Sequence, residues 1–173
     1  MALKLLKRLF ARDEGRAALA PLYAALVAEA RTPIWYLDGK VADTIDGRFE
    51  MVSALTALAI LRLDAEGEPG KLPSVLLTET FVDDMDGQLR QEGVGDIVVG
   101  KHIGKMMAAL GGRIEAYGAG LNGGDLESAL VRNLYRTEHP GEAALGFTAQ
   151  RLNAFWMRLR GLPLDALLAG KLA

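Results

Sequence analysis

The feature that most constrains this chain is the run IDGRFEMVSALTALAILRL, residues 45–63, in which no charged residue occurs between Glu50 and Arg62. Read with a 3.6-residue period, the run is apolar on nearly every side, so a helix built from it has no polar face to offer water. Such a helix has to lie at the centre of a fold, wrapped by others. It is not a membrane span, because its uncharged core of eleven residues falls well short of the roughly 20 needed to cross the hydrocarbon layer. The rest of the chain is therefore expected to pack around residues 45–63.

The remaining segments also read as helices. Leu19, Leu22, Tyr23, Leu26 and Ala30 recur at helical spacing, with Pro21 placed in the first turn and Thr32-Pro33 as a stop. IWYLDGKVADT, residues 34–44, has an Asp-Gly turn between bulky residues and fits an irregular connector better than a small hairpin. DAEGEPGKLP is a loop by composition, and a helix over residues 74–92 follows it, stopped by Gly93. A further helix over residues 99–117 contains Gly104, Gly111 and Gly112. Each glycine weakens it by about 1 kcal/mol relative to alanine, which points to close packing or to a break near Gly111. Helices over residues 125–135, 142–160 and 164–168 complete the chain, with no run of alternating strands. The class is all-α: a single-domain bundle of about six to seven helices with a central apolar helix.

A chain of 173 residues buries enough surface to fold without staples. It has no cysteine, which excludes a disulfide framework, a thiol nucleophile and a zinc-thiolate site. Its net charge of −2 conceals an asymmetry: residues 1–12 hold four bases and no acid, leaving 16 bases against 22 acids, a net of −6, in residues 13–173. In MALKLLKRLFAR the leucines and Phe10 fall on one side of a helix and Lys4, Lys7, Arg8 and Arg12 on the other. The segment has three readings: an anchor on an anionic membrane surface through Lys4, Lys7, Arg8, Phe10 and Arg12, a targeting address, or a terminal helix docked on its own domain. It is no secretory signal, since bases interrupt the apolar run. The acidic body lacks a basic stripe with interleaved aromatics, so no nucleic-acid partner is expected.

Two motifs invite chemistry and fall short. GVGDIVVGKH places Gly95 four residues before Gly100-Lys101, close to a nucleotide-binding P-loop, but His102 stands where that loop needs a hydroxyl for magnesium. The segment also follows a helix rather than a buried strand, and Val98-Val99 crowd the glycine positions, so no nucleotide is expected. The clusters Asp43/Asp46 and Asp83/Asp84/Asp86 suit a hard metal ion, yet their spacing is not the D-D-x-x-D of the all-α isoprenoid synthases. Asp43 and Asp46 alternatively cap the central helix. On a helix Glu79, Asp83, Asp86 and Arg90 share a solvated face opposite Leu77, Phe81, Met85 and Leu89. His102 and His139 have no partner at ligand spacing. No catalytic residue, metal site or cofactor is assigned.

The residues of two segments carry a resemblance. Ala30-Arg31-x-Pro33, Trp35-Tyr36, Asp43-Thr44-x-Asp46-Gly47-Arg48-Phe49, Met85-Asp86-x-x-Leu89-Arg90, and Gly93-Val94-Gly95-Asp96 with Val99-Gly100-Lys101 resemble the ubiquinol-cytochrome c chaperone family over residues 19–135. Gln91 before Glu92, and His102 after Gly100-Lys101, depart from its pattern. The resemblance implies a non-catalytic assembly factor that binds cytochrome b or another subunit of the bc1 complex, in a bacterial-type member peripheral to the cytoplasmic face of the inner membrane. A protein that holds a client needs a presented surface with charged and aromatic anchors. The resemblance places Arg31, Trp35, Tyr36, Asp43, Asp46, Arg48, Asp83, Asp86, Arg90, Asp96 and Lys101 on or beneath that surface, about half of them as buried ion pairs. A magnesium-dependent enzyme of prenyl diphosphate chemistry and a membrane-surface scaffold are the alternatives. The central helix and the one carrying Asp83 are expected to pack antiparallel, bringing Asp43, Asp46 and Arg48 to Arg90 and Asp96.

Overall fold

The computed structural model describes the backbone of residues 2–91 and 96–172, and the side chains of residues 15–88 and 104–172. These residues form eight helices and no strand: α1 (Ala2–Ala30), α2 (Ile34–Leu37), α3 (Ile45–Asp64), α4 (Glu68–Gln91), α5 (Asp96–Leu121), α6 (Leu126–Asn133), α7 (Glu142–Gly161) and α8 (Leu164–Leu168). Two of them, α2 and α8, are single turns.

The apolar run is the axis of the molecule, as its composition requires. Every residue of α3 from Glu50 to Ile60 is buried, and α1, α4, α5 and α7 all pack against it. A three-residue turn returns the chain from α3 into α4, and the Phe49 and Phe81 rings meet at 5.9 Å between centroids. The two helices are therefore antiparallel. α5 runs parallel to α3, joined by Glu50 with Arg113 at one point and by Leu61 against Gly118 further on. α1 lies along α4 in the same sense, with Gly15 against Leu76, Arg16 paired to Glu79, and Tyr23 bonded to Asp84. The stripe Leu77, Phe81 and Met85 faces inward. The opposite side of α4 is the seam with α1, because Arg16 bridges Glu79 and Asp83.

Several boundaries differ from the sequence reading. α1 is one unbroken helix through residues 12 and 13, so Pro21 lies in its interior. Pro21 has no N–H for the Ala17 carbonyl; burial of Leu19, Leu22 and Leu26 on both sides holds the helix across that gap. α4 starts at Glu68, inside the stretch that composition assigned to a loop. Pro69 falls in its first turn, where amide donors are unpaired anyway, and Pro73 forgoes only the bond to the Pro69 carbonyl. α5 runs straight through Gly111 and Gly112. A Cβ placed on Gly104, Gly111 or Gly112 would touch nothing, whereas one on Gly118 or Gly120 would press on Leu61 or on the Leu126 backbone. Close packing is thus made by the later glycines, and α5 neither breaks nor packs closely at the earlier ones.

Of the GVGDIVVGKH motif, residues 93–95 lie outside the described residues, and α5 opens at Asp96, so Val98 to Lys101 lie in a helix that follows another helix. No described helix is long and apolar enough to cross a membrane.

Candidate functional site

The site grows from the end of α1. A helix leaves its last carbonyls without intrahelical donors, and they need partners. Here Trp35 and Tyr36 supply them: the Trp35 indole N–H donates to the Glu29 carbonyl at 3.0 Å and the Tyr36 hydroxyl to the Ala30 carbonyl at 2.7 Å. Trp35 is fully buried, and the Arg151 guanidinium of α7 lies 4.9 Å over its ring while also binding Glu29. Trp35 thereby supports the surface from beneath. Tyr36 is half-buried, and burial is the main cause that raises its phenol above the ordinary range.

The connector over residues 38–44 then lies tightly against the bundle. The Tyr135 hydroxyl donates to the Gly39 carbonyl at 2.5 Å and sits 2.7 Å from the Thr148 hydroxyl. Lys40 takes a left-handed backbone at φ 54°, as do Arg136 at 52° and Thr137 at 72° across the adjoining hollow. Non-glycine residues in that region store strain, which persists only where the surroundings over-determine it. At Gly47 a Cβ would sit 1.9 Å from the Ala42 carbonyl oxygen, so only glycine lets the connector lie against the first turn of α3.

Thr44, rather than an aspartate, caps α3, accepting from the Gly47 N–H at 3.1 Å. Asp43 and Asp46 instead each hold an arginine. Asp43 binds Arg48 at 2.7 Å, and Asp46 binds Arg136 in the turn after α6. Both pairs are exposed, and the hydrogen bond that Arg48 donates to Asp43 holds Arg48 more firmly protonated.

The connector thus stands between clefts, two of which gather residues singled out in the sequence. One, of about 290 Å³, is lined by Arg31, Pro33, Tyr36, Leu37, Asp43 and Arg48. The other, of about 380 Å³, is lined among others by Lys40, Thr44, Asp46, Arg136 and His139. Five of the residues singled out in the sequence, Arg31, Tyr36, Asp43, Asp46 and Arg48, line these clefts. Leu37 and Ile45, at the two ends of the connector, are large apolar residues left 67% and 69% exposed. Asp83 belongs to the α1–α4 seam through Arg16, and Asp86 is half-buried further along α4. The side chains of Arg90, Asp96 and Lys101, and of Lys4, Lys7, Arg8, Phe10 and Arg12, lie outside the described residues, as does that of His102. His139 is exposed and accepts from the Gly141 N–H at 3.1 Å. Among the described residues no three His, Asp or Glu side chains gather as a metal cage would require.

Four arginines with structural roles escaped the sequence reading: Arg136 and Arg151 at the site, and Arg62 and Arg113 in the bundle behind it. Arg62 donates to the Leu159 and Leu162 carbonyls at the end of α7, both at 2.9 Å. A lone Glu50 in an apolar helix does signal a buried cationic partner. Nothing in spacing identifies that partner as Arg113, 63 residues away.

Fold and site together define an all-helical domain that presents a braced ridge flanked by clefts of mixed charge. Residues 37–173 match the ubiquinol-cytochrome C chaperone family. The crystal structure of the Cbp3 homolog from Brucella abortus is similar at a TM-score of 0.78 and 32% identity, covering 98% of this chain and 94% of that one. No match is found among the curated proteins. This chain belongs to the ubiquinol-cytochrome C chaperone family.

Proposed function

We propose that the chain is an assembly factor of the bc1 complex that holds cytochrome b, or a segment of it, on the connector ridge. The observation that carries this reading is the cleft of Arg31, Tyr36, Leu37, Asp43 and Arg48, which places exposed apolar and charged groups side by side on a braced backbone. Aromatic and arginine anchors of this kind dominate protein interfaces, and a braced surface loses little freedom on binding. Trp35 and Gly47 act beneath the surface by fixing its shape, while Asp46 lies exposed in the neighbouring cleft, paired with Arg136. The antiparallel course of α3 and α4 carries the end of α4 toward the start of α3, which supports extending the surface to Asp86, Arg90, Asp96 and Lys101, with Asp83 as a brace in the α1–α4 seam.

The basic segment at the start of α1 holds the chaperone at the cytoplasmic face of the inner membrane through Lys4, Lys7, Arg8, Phe10 and Arg12, where a membrane-protein client emerges. The test is purification of the affinity-tagged chain from membranes of its own cells. Cytochrome b or another bc1 subunit is expected to co-purify, and raised salt is expected to release the chain from the membrane. Recovery of the chain free of any bc1 subunit, in cells actively making the complex, contradicts the reading.

A further inference from the structure

Resting on the reading that this cleft meets a protein client, we infer that it recognises an acidic side chain next to an apolar one, with Arg31 as the reader of the acid. The cleft holds two guanidinium groups and one carboxylate. Asp43 is already engaged by Arg48 at 2.7 Å, whereas Arg31 has no ion-pair partner among the described residues. The neighbouring acid Glu29 is turned to Arg151 of α7, and Asp84 accepts the Tyr23 hydroxyl. One positive charge is therefore left over, in a body that is acidic apart from its first twelve residues.

Beside Arg31 the wall is apolar: Pro33, the half-buried Tyr36, whose hydroxyl is engaged by the Ala30 carbonyl, and the exposed Leu37. A hollow of about 290 Å³ lies at the lower limit of small-molecule sites, and it suits one or two side chains better than a free ligand. The guanidinium fork binds a carboxylate through two parallel hydrogen bonds. Leu37 and Pro33 meanwhile lose water against an apolar neighbour. The partner is a client segment in which Leu, Ile or Phe adjoins Glu or Asp.

The test uses the purified full chain and fluorescent peptides of a Gly/Ser background carrying Leu-Glu, Leu-Gln or Leu-Lys, read by anisotropy. The Leu-Glu peptide is expected to bind about fivefold tighter than Leu-Gln, the range for a charge-assisted hydrogen bond at a partly exposed site. Arg31→Gln removes the preference, Arg31→Lys keeps part of it, and Arg31→Glu transfers it to Leu-Lys. Arg31 is exposed, so all three variants keep the native circular dichroism. Equal binding of the three peptides, no measurable binding, or a preference indifferent to Arg31 overturns the inference. Arg31-dependent binding to phosphatidylglycerol vesicles with none to Leu-Glu overturns it in favour of a lipid surface. Because the assay needs no bc1 subunit, its failure and the failure of the proposed function are separate results.

Discussion

Glu50 and Arg113 form a buried ion pair at the head of the central helix, with Arg113 also lying 5.9 Å over the Phe49 ring. Burial raises the Glu50 carboxyl above its ordinary value of 4.5, against the pull of Arg113. The folded state thus binds the Glu50 proton more tightly than the unfolded chain does. Its contribution to stability is full below the ordinary value and is lost as pH rises through the raised one. Glu50→Gln should flatten that part of the stability profile. Removing one partner alone strands a buried charge, so Arg113→Met is expected to destabilise the fold by about 3 kcal/mol. The double replacement Glu50→Leu with Arg113→Met should be neutral or stabilising. Urea titration of the three variants checks this. An additive result, with the double variant the least stable, would show that the pair supports the fold outright.

At the scale of elements, α5 separates two uses of glycine within one helix. Gly111 and Gly112 are exposed and a side chain there meets open space, while a Cβ on Gly120 would lie 2.8 Å from the Leu126 Cα. Alanine at Gly111 or Gly112 is expected to stabilise the protein by about 0.5–1 kcal/mol, through helix propensity and a less free unfolded chain. Alanine at Gly120 should instead lower the thermal midpoint by forcing α5 and α6 apart. Melting curves of the single variants decide the matter, and a rise for Gly120→Ala would mean that the contact yields easily. The same helix shows how far periodicity reaches. Leu110 and Tyr117 are buried on the inward face of α5, but spacing says nothing of which glycine faces a neighbour, since that is a property of the partner helix. The start of α4 was hidden for a related reason. Glu68-Pro69-Gly70 reads as loop by composition, yet the first turn of a helix tolerates proline and glycine, and tertiary burial of Leu76 and Leu77 carries the helix back to Glu68. By contrast α3, α7 and α8 stand within two residues of where the periodicity put them, because each carries a clear stop or an unmistakable apolar run.

For the molecule as a whole, the all-α class and the central position of residues 45–63 were legible, since an all-round apolar helix has only one place to go. Of the surface, the residue types were legible and their groupings were not. The motif Asp43-Thr44-x-Asp46-Gly47-Arg48 places acids and a base close in sequence, but its function as a ridge depends on Arg136, Tyr135 and Thr148 from the far half of the chain. Trp35 and Tyr36 are recognisable as anchors, while their engagement of the last carbonyls of α1 follows only from the three-dimensional turn after Pro33. The proposed function puts a bc1 client on this ridge. The most direct measurement places a photo-cross-linking amino acid at Leu37 and, as a control, at Met157, which is exposed on α7. Illumination of cells making the complex is predicted to join cytochrome b, or another bc1 subunit, to the Leu37 position at least tenfold more than to the Met157 position. Equal cross-linking from the two positions, or none from Leu37 while bc1 subunits still co-purify with the chain, would contradict it.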